Sequence, residues 1–238
     1  MRPVGFSTGA LARGDVSRGV EMIAKNALHV IELSALRQNE LQPVVEMLDN
    51  LDLTPFDYIS FHAPSSIEPA FEAIALELLD RIHARGWPIV VHPDAMHTVQ
   101  EWNRFGELLC IENMDKRKPV GQTAEDLGRI FADLPQASFC LDLGHARQID
   151  PTMSEAALIL THLGKKLKQV HISEVNYESK HDSLTLEAIM AFQRVSSFIA
   201  ENIPVILESR VEERSIRMEV ESARYALNPL NALALAGD

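Results

Sequence analysis

The sequence FCLDLGHA, residues 139–146, decides the fold, because a short apolar run ends at Asp142 and passes directly into a new segment. About 30 residues earlier, LCIENMD (residues 109–115) shows the same pattern and ends in a glutamate. About 30 residues later, QVHISE (residues 169–174) places a histidine at the equivalent point. Apolar runs that do not alternate with polar residues are typical of parallel strands buried on both faces. The three segments therefore predict consecutive strands of one parallel sheet.

The pattern extends in both directions through the 238 residues, and dividing this length by eight gives about 30 residues, the length of one compact strand–helix unit. The predicted strands are residues 3–6, 30–33, 58–61, 89–91, 108–111, 139–141, 169–172 and 205–207.

The segments between these runs carry helix signals. Thr123, with an acidic residue three positions later, predicts a capped helix start. Residues 68–85 have a proline near the start and a glycine just past the end, which is the expected asymmetry of a helix. Residues 183–200 and 211–227 are two further amphipathic stretches. The chain therefore alternates strand and helix throughout.

Such alternation allows either an open doubly wound sheet or a closed barrel. An open sheet concentrates its site at one switch point, whereas a barrel collects functional groups from the ends of many strands. Nearly every predicted strand ends in an ionisable residue, and no linker or change of composition divides the chain. We therefore predict an α/β fold, a (β/α)8 TIM barrel, with residues 1–238 forming one domain.

Composition narrows the possible partners. The chain has 22 Lys+Arg and 34 Asp+Glu, a formal net charge of −12, which argues against a simple electrostatic grip on nucleic acid or on an anionic membrane. No run of 18 apolar residues predicts a membrane span. The 2 cysteines cannot form a disulfide framework and match no zinc ribbon. A cytoplasmic protein with reduced thiols is expected.

The ionisable residues at or just after the predicted strand ends would meet at one mouth of such a barrel. Clustered carboxylates raise each other's pKa, and bound divalent cations remove that cost. Histidine with Asp and Glu suits Zn²⁺, Mn²⁺ or Co²⁺, and the lack of cysteine argues against a thiolate-held metal. The sequence therefore predicts a divalent metal site. The candidates are Glu32, His62, His92, Glu112, Asp142, His145, His171, His181 and Glu208.

The order of these residues, and the motifs IEN, LDLGHA and VHISE, resemble the xylose-isomerase-like TIM-barrel superfamily along the whole chain. That superfamily contains sugar isomerases and epimerases, inosose dehydratase-type enzymes and endonuclease IV-type DNA repair enzymes. The resemblance implies a metal-dependent enzyme and leaves two reaction classes open.

Resemblance to the isomerases and epimerases implies one metal, and Glu112 and Glu208 would be both ligands and the acid/base pair. His145 would hold a substrate hydroxyl group, and Arg210 would bind a hydroxyl or phosphate group. The four ligands implied are Glu112, Asp142, His171 and Glu208.

Resemblance to the endonuclease IV-type enzymes implies three zinc ions. The aspartate expected two residues before His181 is Ser179 here, so the third site needs Glu178, Asp182 or Glu174 as a substitute. The three ligand sets implied are His62, His92 and Glu112; Glu112, Asp142, His171 and Glu208; and His145, His181 and an aspartate.

His62 and His92 favour more than one metal and so the hydrolase. The missing aspartate, the compact length and the lack of a basic loop with aromatic residues favour the sugar enzymes. We predict a divalent-metal-dependent isomerase or epimerase, with one to three ions, Zn or Mn, and a small carbohydrate-like substrate. A non-catalytic metal-binding barrel is a third hypothesis, disfavoured because Glu112 and Glu208 are both present.

Glu32 is predicted either to contact the substrate at the barrel mouth or to form a salt bridge to a neighbouring loop.

Overall fold

The computed structural model describes residues 2–228, whose strands form a closed barrel and one small hairpin. The barrel strands are β1 (Val4–Ser7), β2 (Val30–Ser34), β3 (Tyr58–His62), β4 (Ile89–Val91), β5 (Leu109–Glu112), β6 (Ser138–Asp142), β7 (Leu167–Ile172) and β10 (Val205–Leu207). The hairpin consists of β8 (Glu174–Val175) and β9 (His181–Asp182), which pair in antiparallel fashion.

The barrel closes because β1 pairs in parallel with both β10 and β2, with Val4 opposite Val205 and Phe6 opposite Ile31. The strand order is β1-β10-β7-β6-β5-β4-β3-β2, so neighbours in the chain are neighbours in the barrel. Each of the eight predicted apolar runs coincides with a barrel strand to within two residues. The predicted TIM barrel is confirmed. The prediction of one domain extends to residue 238, which lies outside the described residues, and so it stays a prediction.

Helices follow the strands and cover the outside of the barrel. None of the described helices combines the length and the apolar composition needed to cross a bilayer. The helices are α1 (Thr8–Ala12), α2 (Val16–Lys25), α3 (Gln38–Met47), α4 (Glu72–His83), α5 (Val99–Trp102), α6 (Ala124–Asp133), α7 (Leu143–Ile149), α8 (Ser154–Leu163), α9 (Leu186–Gln193) and α10 (Ile216–Ala226).

Two helix predictions have different outcomes. Thr123 caps α6 as predicted, because its side chain accepts a hydrogen bond from the Asp126 N–H at 3.1 Å. The stretch 183–200 contains the much shorter α9, which ends before Ser196. The Ser196 hydroxyl donates to the Gln193 carbonyl at 2.9 Å, and such a local bond competes with continuation of the helix.

The main apolar core lies between the barrel and the helices, where large side chains such as Trp102 and Phe139 are fully buried. The inside of the barrel contains polar groups as well, and Glu32, Ser60 and Gln169 have no exposed surface there. Buried polar groups need hydrogen-bond partners, so this inner layer must be a connected network. The network lies directly beneath the site described next.

Candidate functional site

The eight predicted metal-binding residues meet at the carboxyl ends of the barrel strands. This is the face on which TIM-barrel enzymes carry their active sites. Asp142 and His171 are entirely buried and form the floor of the cluster. The other six line a cavity of about 270 Å³: His62, His92, Glu112, His145, His181 and Glu208.

Glu112, the last residue of β5, lies at the centre of the cluster. One carboxylate oxygen is 3.2 Å from His62 Nε2 and 3.1 Å from His92 Nε2. The other oxygen is 3.1 Å from His171 Nδ1. Burial alone would raise the pKa of Glu112, but His171, His62 and His92 hold it well below its usual range. Glu112 is therefore a buried carboxylate that remains ionised and faces three imidazole rings.

Asp142, at the end of β6, directs one unpartnered oxygen into the same cluster. Its Oδ1 accepts a hydrogen bond from the His145 N–H at 2.6 Å, which starts α7. The Asn113 side chain clamps the Asp142 backbone, accepting from its N–H at 2.7 Å and donating to its carbonyl at 2.9 Å. Oδ2 is buried and has no hydrogen-bond partner among residues 2–228. Burial raises the pKa of Asp142, as does the charge of Glu112.

Glu208 follows β10 and is the most accessible carboxylate of the cluster, with its side chain 15% exposed. Its Oε1 is 3.6 Å from His171 Nδ1, and its Oε2 is 3.3 Å from His181 Nδ1. Burial raises the pKa of Glu208 to about 8, against the opposing charge of His171. Burial and the neighbouring His145 lower the pKa of His181 to about 3. These two groups form the side of the cluster that faces the cavity.

Backbone carbonyls orient two of the histidines. His62 Nδ1 donates to the Ala63 carbonyl at 2.7 Å, and His145 Nδ1 donates to the Asn113 carbonyl at 2.9 Å. Because a carbonyl only accepts, Nδ1 carries the proton in both rings, and the neutral rings present an Nε2 lone pair. Metal-binding histidines are commonly oriented in this way. Although burial lowers the pKa of His62, Glu112 raises it to about 9, so without a bound cation this ring is protonated near neutral pH.

Glu32 orients His171 from beneath. The Glu32 carboxylate is 3.1 Å from His171 Nε2 and accepts hydrogen bonds from Ser60 at 3.0 Å and from Gln169 at 2.7 Å. Tyr58 donates to the Gln169 side-chain oxygen at 2.7 Å. The other ring nitrogen, Nδ1, faces Glu112, and the charges of Glu32, Glu208 and Glu112 hold the pKa of His171 well above its usual range in spite of its burial. With a cation on Nδ1, the remaining ring proton would lie on Nε2 and face Glu32.

The prediction that Glu32 lies at the barrel mouth is wrong in position. Its side chain has no exposed surface and does not line the cavity, because the inward-facing residues of neighbouring strands close over it. Sequence reasoning also missed its partners Ser60 and Gln169. Each stands two residues before a predicted ligand, His62 or His171, and so shares its inward face. That spacing was the available signal.

The donor set fits a divalent cation. Nitrogen and carboxylate oxygen donors suit Zn²⁺ and Mn²⁺, and the unpartnered buried oxygen of Asp142 is a group that a cation would satisfy. In each of four groups, one ligand atom per residue lies within 4.8 Å of all the others. The groups are Glu112, Asp142, His171 and Glu208; His62, His92 and Glu112; Asp142, His145 and His181; and Glu32, His62, His171 and Glu208.

The group Asp142, His145 and His181 differs at one ligand from the set that the endonuclease IV-type resemblance implies. Ser179 stands where an aspartate is expected, adopts a left-handed φ of 56°, and is held by hydrogen bonds of 2.9 and 3.0 Å to the Gln148 side chain. The proposed substitutes point elsewhere, with Glu178 bound to Lys180, and Asp182 to Asn176. Glu174, the remaining proposed substitute, pairs with Arg147. The acidic member close to His145 and His181 is Asp142 instead.

Cations surround the mouth of the cavity, and most have acidic partners. Arg117 pairs with Asp115 at 2.7 Å, and Lys118 pairs with Asp94 at 2.8 Å. Arg210, two residues after Glu208, is exposed and lines the cavity. It makes no ion pair within the described part of the chain. Arg210 is therefore available to a ligand.

No protein-family model and no curated protein matches this sequence. Among solved structures, the chain is similar to 3-keto-D-glucoside 4-epimerase YcjR from E. coli, with 14% identity, a TM-score of 0.57, and coverage of 95% of this chain and 99% of that one. It is also similar to D-allulose 3-epimerase from Methylomonas sp., with 16% identity, a TM-score of 0.58 and 95% coverage of both chains. A third similar structure is SacUVDE, with 18% identity, a TM-score of 0.54, and coverage of 94% of this chain and 98% of that one.

These likenesses show the fold of the chain, which is the TIM barrel that the sequence predicted. At 14%, 16% and 18% identity the likeness establishes the fold and not the reaction.

Proposed function

We propose that the protein is a divalent-metal-dependent isomerase or epimerase that acts on a small sugar, polyol or sugar phosphate. The observation that carries the proposal is that two carboxylates, Glu112 and Glu208, line one small cavity and belong to one four-residue ligand group with Asp142 and His171. The cavity of about 270 Å³ is smaller than the pockets of about 300–1,000 Å³ that hold drug-sized ligands, so it suits a small molecule. The names of the two similar epimerases support the substrate class.

Glu112, Asp142, His171 and Glu208 would hold the metal, with Zn²⁺ or Mn²⁺ as the ions that fit these donors. When bound, the metal would polarise the carbonyl and hydroxyl oxygens of the substrate. Asn113 and Glu32 hold the floor of this group in place, through the Asp142 backbone and the His171 ring.

Proton transfer is assigned to Glu112 and Glu208. One carboxylate accepts a proton from the carbon beside the substrate carbonyl, and the other donates a proton to the opposite face or to the neighbouring carbon. The two residues end β5 and follow β10, which are not adjacent in the barrel, so they approach the cavity from different sides. His145 binds a substrate hydroxyl group, and Arg210 binds a hydroxyl or phosphate group, in the same cavity.

Exchange of a carbon-bound proton with deuterated water tests this function. We expect the metal-loaded protein to introduce deuterium into one member of a panel of ketoses, aldoses and their phosphates, as followed by NMR. Glu112→Gln and Glu208→Gln keep the side-chain size and remove the base, so each is expected to reduce exchange at least 100-fold. Glu21→Gln, at an exposed glutamate of α2, is the matched control and is expected to retain the rate. Full exchange in both site variants would contradict the assignment.

A second candidate is a multimetal phosphodiester hydrolase, and one observation favours it. His62 and His92 form a further ligand group with Glu112, which the four-residue group of the isomerase does not use. A multimetal site would activate water and stabilise the leaving oxygen of a phosphodiester. Nicking of DNA with an abasic site, lost in His92→Ala, together with no exchange in the sugar panel, would favour this candidate. Metal binding with neither reaction would favour a non-catalytic barrel.

A further inference from the structure

A second cavity, of about 430 Å³, adjoins the site cavity. Ala10 and Arg210 line both cavities, so the two spaces meet at these residues. Arg13, at the end of α1, and Arg18, in the first turn of α2, line the second cavity as well. We call this space the arginine cavity. It meets the site cavity at Arg210, which stands two residues after Glu208.

The three arginines of this cavity have no acidic partner. Within residues 2–228, no carboxylate oxygen lies within 4.0 Å of the guanidinium nitrogens of Arg13, Arg18 or Arg210. The cations on the other side of the site, Arg117 and Lys118, are paired at 2.7 and 2.8 Å. In a chain with a net charge of −12, three unpaired guanidinium groups around one space indicate a site for an anion.

Two carboxylates also line the arginine cavity and reduce its positive charge. Glu212 forms an ion pair with Arg214 at 2.7 Å, so its charge is already compensated. Glu213 is the remaining carboxylate of the lining. Three guanidinium groups therefore face one uncompensated carboxylate, and the balance still favours a ligand with a negative charge.

We propose that the arginine cavity binds the phosphate group of a phosphorylated sugar or polyol whose reacting carbon atoms lie between Glu112 and Glu208. This rests on the proposed function and selects the phosphorylated substrates from the classes it allows. A guanidinium group matches phosphate oxygens with two parallel hydrogen bonds, and a phosphate monoester carries close to two negative charges at pH 7. Arg210 lies at the junction of the two cavities and would contact both the phosphate and the sugar.

Calorimetric titration with inorganic phosphate tests the site directly. We expect the double variant Arg13→Gln/Arg210→Gln to bind phosphate at least tenfold more weakly than the wild type, because two charge-assisted contacts are lost. Arg81→Gln, at an exposed arginine of α4, is the matched control and is expected to bind like the wild type. Equal affinity in the double variant and the wild type would overturn the proposal.

Further titrations distinguish the arginine cavity from other sites at which an anion could bind. The phosphate titration is repeated after chelation of metal, and the arginine-dependent binding is expected to persist. Its disappearance would place the phosphate on the metal and overturn the proposal. Acetate is expected to bind at least tenfold more weakly than phosphate, and equal binding would overturn the assignment to a phosphate. Binding of an abasic oligonucleotide at least 100-fold more tightly than phosphate, and lost in the double variant, would assign the cavity to a polynucleotide instead.

The proposal and the proposed function fail in different experiments. Deuterium exchange into a sugar phosphate that is unaffected by the double variant would overturn the phosphate site and leave the isomerase intact. Arginine-dependent phosphate binding with no exchange into any sugar phosphate would support the site and remove the isomerase.

Discussion

At the scale of single residues, several candidate ligands of the cluster have a hydrogen-bond partner behind them that fixes the orientation of the side chain. The carbonyls of Ala63 and Asn113 accept from the Nδ1 atoms of His62 and His145, and the Asn113 amide also holds the Asp142 backbone. Such partners fix the ring tautomer, which decides whether a lone pair or a proton faces the metal. The geometry of the site is therefore determined by these partners as much as by the ligands.

Glu32 is the partner whose role is most easily tested. Glu32→Gln removes the carboxylate charge that faces His171 Nε2, and we expect the affinity for Zn²⁺ or Mn²⁺ to fall about 10–100-fold, as is usual when such a partner is lost. Affinity is measured by competition with a chelator of known strength.

The control for this experiment is Glu219→Gln. Glu219 is a buried carboxylate of α10 that accepts a hydrogen bond from the Leu184 N–H at 2.8 Å and belongs to none of the four candidate ligand groups. It is expected to leave metal affinity unchanged. An unaltered affinity in Glu32→Gln would show that the Glu32 contact does not position His171.

Sequence reasoning could bring the candidate ligands together because each ends or follows a strand, a position that can be read from one segment alone. The role of Glu32 could not be found in this way. It depends on the barrel register, in which Glu32 lies opposite Ser60 on β3, and on contact across the interior with Gln169 and His171 from β7. Contacts across a closed barrel involve residues about 137 positions apart, and no local pattern encodes them.

At the scale of elements, α7 is the part of the fold on which the site depends most. It is capped by Asp142 and contains His145. It packs against β7 and against the hairpin that follows β7. A Cβ atom at Gly144 would lie 2.5 Å from a Val175 side-chain carbon and 2.7 Å from the Ser173 carbonyl oxygen. Only glycine allows this approach without movement of the backbone.

Gly144→Ala tests this packing. We expect the free energy of unfolding to fall by about 1–3 kcal/mol, the usual cost of overpacking, with weaker metal binding because Asp142, which caps α7, moves with the helix. The measurement is urea unfolding followed by circular dichroism.

Gly128→Ala in α6 is the matched control, since a Cβ atom there meets nothing within 4 Å. It is expected to stabilise the protein by about 0.5–1 kcal/mol, because alanine is the better helix residue. Equal stability of Gly144→Ala and the wild type would contradict the packing described for α7.

The strands could be predicted more accurately than the helices. A strand buried on both faces is an apolar run with abrupt ends, and all eight were found. Helix ends depend on local hydrogen bonds, and an amphipathic pattern can continue past them. In residues 183–200 the pattern continues, but Thr185 caps the start of α9 and Ser196 bonds back to Gln193 after its end.

At the scale of the whole molecule, the distribution of charge distinguishes two regions. Buried carboxylates collect at the centre of the barrel, where Glu112 and Asp142 are almost completely inaccessible and Glu208 is close to them. Unpaired guanidinium groups collect in the adjoining arginine cavity. The net charge of −12 described neither region, because it sums over the surface and the interior. A cation at the centre and an anion beside it would each compensate a local excess.

Anomalous diffraction from crystals of the metal-loaded protein, at the absorption edges of zinc and manganese, shows how many ions the cluster binds and where. We expect one ion, bound by Glu112, Asp142, His171 and Glu208, and no ion in crystals of the Asp142→Ala/His171→Ala variant. Three ions in the wild type, with His62 and His92 among the ligands, would contradict the isomerase and favour the hydrolase. An empty four-residue group would contradict the account as a whole.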